Sequence, residues 1–80
     1  MSAITDVGDE MERQELTWGQ QDHPDIFWLA ILTEEVGEAA KAILEHGDVR
    51  RELVQVAAVA LSWIQCIDRY EELEIYDDHD

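Results

Sequence analysis

Residues 29–68 read LAILTEEVGEAAKAILEHGDVRRELVQVAAVALSWIQCID, and their pattern decides the fold. Two apolar segments at helical spacing flank a turn at Glu45, His46 and Gly47. The first carries Glu34, Glu35 and Glu38; the second carries Glu52 and Gln55. Side chains three residues apart on a helix share a face, so Glu35 pairs with Glu38 and Glu52 with Gln55. Folded as an antiparallel hairpin, the two segments set Glu38 level with Glu52 and Glu35 level with Gln55. Unpaired charge inside a fold is among the costliest arrangements available, and a divalent cation would remove that cost. Oxygen donors without a Cys or His cluster favour Mg²⁺, with Mn²⁺ as an alternative, over Zn²⁺. The competing reading is a solvated acidic face, as charge runs commonly are; apolar residues on both sides of the cluster argue against it.

The series Glu34-Glu35-Val36-Gly37-Glu38, followed after an interval by Glu52-Leu53-Val54-Gln55, resembles the MazG-type all-α nucleoside triphosphate pyrophosphohydrolases. Their motif is E-E-x-x-E followed by E-x-x-D. The likeness extends upstream through Trp18-Gly19-Gln20-Gln21-Asp22-His23-Pro24, with one departure: Gln55 stands at the closing Asp. The resemblance implies Mg²⁺-dependent hydrolysis between the α and β phosphates, giving a monophosphate and pyrophosphate, in the service of removing non-standard nucleotides. Carried over by position, Glu35, Glu38 and Glu52 are the metal ligands and Gln55 takes the fourth place with a neutral oxygen. Glu34, Glu35 and Glu38 form the catalytic set, Glu34 being free to orient or deprotonate a water. An amide in place of a carboxylate weakens cation binding, so the expected activity is reduced.

Trp18, His23 and Trp28 are candidates for the base end of a substrate site, since aromatic rings stack on nucleobases and an imidazole can bond a base edge. A family branch acting on deoxycytidine triphosphate has a similar Trp and Gln-x-His arrangement ahead of its acidic helix. Trp28 and Trp63 read equally as core or interface residues. Lys41 is the cation placed to touch phosphate, with Arg50 and Arg51 beyond the turn; ordinary surface pairing is the alternative for all three. His46 and His79 lack ligand-spaced partners. Cys66, the single cysteine, lies on an apolar helix and reads as a buried structural thiol.

Eighty residues make one small helical domain, and a chain so short buries a limited share of its surface alone. Twenty acidic residues against five Lys and Arg leave a net charge of −15, which opposes binding to a nucleic-acid polymer. Residues 53–67 are too short and too polar for a membrane span. A lone cysteine and the lack of an export signal point to a reducing cytoplasm.

Residues 1–8 and 77–80 are expected to be flexible, and a first helix is expected from Asp9 to Gly19. A second runs from Asp25 or Ile26 to Leu44 or Glu45, with Asp25 as N-cap and Gly37 in its middle, where close helix packing would explain the glycine. Gly47 is expected in the left-handed cap, with Asp48 as the next N-cap. The third helix, Val49 to Arg69 or Glu72, is apolar nearly all round, so it is buried on more than one side. The expected architecture is therefore all-α, a helical hairpin that completes a four-helix-bundle core by pairing with a second copy, as a dimer or tetramer. A non-catalytic dimerisation or nucleotide-sensing module on the same scaffold is the second functional reading. An acidic protein-interaction module is the third.

Overall fold

A computed structural model describes residues 2–77, with side chains to residue 71. Among the described residues the chain is all-helical: α1 spans Ala3–Trp18, α2 spans Asp25–Leu44 and α3 spans Val49–Asp77. Residues 78–80 and His79 among them lie outside the described residues, as do the side chains of Leu73, Ile75 and Tyr76.

The first helix starts well before the expected Asp9. Ser2 caps it, its hydroxyl accepting from the Thr5 amide at 3.3 Å, and Asp6 stands in the positively polarised first turn. Asp6 also pairs with Arg50 at 2.8 Å, tying the early turns to α3. The lack of an apolar period in residues 1–8 is thus offset by capping and charge, both local signals. Gly19 ends the helix with φ 79° and ψ 179°, a conformation open to glycine, and its amide bonds the Glu15 carbonyl at 2.7 Å.

Proline supplies the entry to α2. Pro24 is the N-cap, its carbonyl accepting from the Phe27 and Trp28 amides, so Asp25 is displaced from the expected capping position into the first turn. There its carboxylate accepts from Trp63 Nε1 at 2.9 Å, linking the start of α2 to the middle of α3. The α2–α3 turn closes with Gly47 N–H donating to the Ala42 carbonyl at 2.7 Å, the six-to-one bond of a Schellman turn. That bond places the left-handed residue one position before Gly47: His46 has φ 57°. Asp48 caps α3 as expected, accepting from the Arg51 amide at 3.1 Å.

The hairpin core is narrow. Trp28, Val59 and Cys66 form a buried cluster, with Ile31, Leu32 and Trp63 packed against it. Ala39, Ala42 and Ala58 are buried as well, small side chains that let α2 and α3 approach near their turn. Cys66 is buried as expected, its thiol facing the His23 carbonyl. Gly37 departs from its expected role, since no atom lies within 4 Å of a Cβ built there.

α3 packs against both other helices, whereas α1 and α2 do not pack on each other among the described residues. No residue of α1 is buried. The molecule is long, 54 × 26 × 20 Å, with a radius of gyration of 14.8 Å where a compact 80-residue chain has about 11.6 Å. Its accessible surface is 5967 Å², against about 4,900 Å² for a compact monomer of its mass. The elongated shape leaves large apolar side chains uncovered: Ile26, Phe27 and Leu29 near the start of α2 and Leu61 and Ile64 on α3 are all exposed. No described helix is long and apolar enough to cross a membrane.

Candidate functional site

Since α1 and α2 meet only through α3, a space opens between them. It is a cavity of about 620 Å³, floored by Val59 and Ser62 of α3 and walled by α1 on one side and α2 on the other. Four of the residues singled out in the sequence line it: Trp18, Trp28, Glu35 and Gln55. The helical hairpin brings Glu35 and Gln55 to the same space, and α1 adds Trp18 from its last turn. Trp18 stays largely exposed, while Trp28 is 2 % exposed and its indole N–H has no hydrogen-bond partner. A buried donor without an acceptor costs about 1–3 kcal/mol, and this one is closed off from the cavity as well as from bulk water.

Glu35 is the electrostatic centre of the acidic group. Partial burial pushes its carboxyl above the ordinary carboxylate range, and Glu52, Glu38, Glu34 and Glu10 push it further the same way. Desolvation and like charges both penalise the ionised form, and neighbouring positive charge would reverse the second effect. Glu10, contributed by α1, is held the opposite way. A hydrogen bond from Arg13 keeps its carboxyl below the usual range, with the Arg13–Glu10 pair at 2.7 Å.

The remaining residues are distributed less favourably. Glu34 and Glu38 are exposed, Glu52 is half-buried, and none of them lines the cavity. Among the described residues, no three His, Cys, Asp or Glu side chains gather closely enough to hold a metal ion. The expected convergence of Glu35, Glu38 and Glu52 is therefore not formed: mutual repulsion favours separated carboxylates on long side chains that reach water. The donor set still suits a hard cation by its chemistry, three carboxylates and one amide oxygen on adjoining helical turns, crowded enough to disturb Glu35.

His23 faces a different space. It lines a smaller cavity of about 430 Å³ with Cys66 and Tyr70, and its ring packs on Phe27 and edge-on to Trp28, with centroids 4.6 and 5.0 Å apart. Pro24 after it and Gln21, 2.9 Å from its Nε2, hold the ring there. His23 thus supports Trp28 from behind. Lys41, in the last turn of α2, is exposed and lines neither cavity.

Gln20 and Gln21, quoted in the upstream part of the resemblance, line the cavity, and residues that the sequence reading passed over complete it: Gln14 and Gln65 add to an amide-rich wall, and Arg69 closes one end. Arg69 is occupied there, bonding Asp22 at 3.1 Å and the Gln21 carbonyl at 3.2 Å, which holds the Asp22 carboxyl below its usual range. The density of Gln around Trp18 was the available signal, but a glutamine run without a partner helix in view has no direction. Compared with protein-family models, curated proteins and solved structures, the chain finds no match.

Proposed function

We propose that this protein is a magnesium-dependent nucleoside triphosphate pyrophosphohydrolase, acting as a homo-oligomer on a nucleotide held between α1 and the α2–α3 hairpin. The observation that carries the proposal is Glu35: a half-buried carboxylate, crowded by four further glutamates, on the wall of a cavity of suitable size. The motif resemblance noted in the sequence supplies the reaction class.

In this reading Glu35, Glu38 and Glu52 hold Mg²⁺ or Mn²⁺, with the Gln55 amide oxygen beside them. A cation held there would supply positive charge to offset the substrate's phosphates. Glu34 would orient the attacking water and take its proton, which requires its side chain to turn in from its exposed position. Water attacks the α phosphorus, the bridging bond breaks, and pyrophosphate leaves with a monophosphate remaining. The base would lie against the rings of Trp18 and Trp28, which line the cavity. Arg13 and Arg69 are already paired with Glu10 and Asp22, so cations rather than these side chains balance the phosphate charge.

The homo-oligomer rests on the exposed apolar residues of α2 and α3, which a second hairpin would cover in a four-helix core. A second functional reading, a non-catalytic nucleotide-sensing or dimerisation module, is favoured by Gln55 and by the separated carboxylates. One assay separates the two. Purified protein is incubated with a panel of ribo- and deoxynucleoside triphosphates and Mg²⁺ or Mn²⁺, and monophosphate and pyrophosphate are measured. Catalysis requires metal-dependent release of both products that Glu38→Ala reduces by at least about 100-fold. Binding without turnover selects the sensing module, and release untouched by Glu38→Ala refutes the site.

A further inference from the structure

We propose that α1 is a hinged lid on the cavity, swinging about Gly19 away from α3 while the α2–α3 hairpin stays folded. This goes beyond the hydrolase reading and is tested without any nucleotide.

Three observations place the hinge and the moving part. α1 packs against α3 alone and buries none of its residues, its inner face being the half-buried Val7, Met11 and Gln14. A helix held by so little buried surface opens more readily than the hairpin that holds the buried cluster of Trp28, Val59 and Cys66. Second, the connector just beyond α1 is fixed: Arg69 of α3 grips the Gln21 carbonyl and the Asp22 carboxylate. Gly19 lies between the fixed connector and α1, in a backbone conformation reserved for glycine and with open space around its Cβ position. Motion is thereby focused on one residue. Third, among the described residues the far end of α1 is fastened by one ion pair, from half-buried Asp6 to exposed Arg50 at 2.8 Å. A pair of this kind contributes little and is broken at small cost.

The position of the cavity gives the motion a consequence. Gly8, Met11 and Trp18 line it from α1, opposite Glu35 of α2, so outward movement of α1 removes one whole wall. Trp28, buried against the same space, would meet solvent through its indole N–H each time the wall opened.

The test is native-state hydrogen exchange by NMR on the full chain. Once off α3, an isolated helix of 16 residues is marginal and melts, so amides of residues 10–18 are expected to exchange at one common rate, at least about tenfold faster than amides 57–61 of α3 and with a smaller denaturant dependence. The Trp28 indole N–H is expected to follow the α1 rate. Asp6→Ala should raise both by roughly a further fewfold and leave residues 57–61 unchanged. Equal rates in α1 and α3 with the same denaturant dependence would overturn the lid. So would protection that climbs steadily from Ala3 to the α3 level at Trp18, which is fraying from the terminus. The wild-type comparison stands even if the variant is unstable.

Discussion

Glu35 is the carboxyl of the acidic group that the fold disturbs. Its carboxyl is raised by burial first and by neighbouring glutamates second, so the folded chain holds that proton more tightly than the unfolded chain does. The resulting stabilisation is complete below the unfolded carboxylate value of 4.5 and is lost as pH rises through the higher folded value. At neutral pH, ionised Glu35 therefore opposes folding, and Glu35→Gln should stabilise the metal-free protein there. Because the group keeps much of its contact with water, the gain is expected to stay under about 1 kcal/mol in urea denaturation. It should vanish near pH 4. A variant less stable than wild type at pH 7 would show that the carboxylate has a favourable partner instead. The sequence identified Glu35 and Gln55 as neighbours because helical spacing and one short turn suffice for that. It did not reveal that Glu38 stays in water, since the repulsion separating these side chains depends on their conformations rather than on their order.

At the level of elements, short-range signals were readable and single-residue roles at the boundaries were not. The limits of α2 and the start of α3 follow from Pro24, the apolar period and Asp48. Asp25 was misassigned because its sequence position suits a cap, while Pro24 already satisfies the first amides and Trp63, far along the chain, takes the carboxylate. The left-handed residue fell on His46 because the turn is set by the Gly47–Ala42 bond, whose register one sequence does not specify. α1 exceeded its expected length through Ser2 and the Asp6–Arg50 pair, the second a contact between distant segments. Its loose seat on α3 was invisible for the same reason. Which face of a polar helix meets a partner is decided by that partner.

For the whole molecule, the elongated shape and the large apolar side chains it leaves exposed are the dominant fact. The accessible area exceeds that of a compact monomer by about 1,000 Å², comparable to the roughly 800 Å² that each partner hides in an ordinary stable interface. An all-round apolar α3 announced this imbalance in the sequence, and Leu61 and Ile64 remain uncovered in the folded chain. Sedimentation at micromolar concentration is expected to give a dimer or larger assembly, dispersed by Ile64→Glu. A monomer with full helix content would contradict it. Beneath the assembly and the cavity lies the claim that the glutamates of α2 and α3 belong to an ion. Mn²⁺ binding, followed by the loss of the free-ion paramagnetic resonance signal, tests it most directly. The account predicts saturable binding that Glu35→Gln and Glu38→Ala each weaken by at least about tenfold and that Gln55→Asp strengthens. Binding that is absent, or identical in all four proteins, would contradict it.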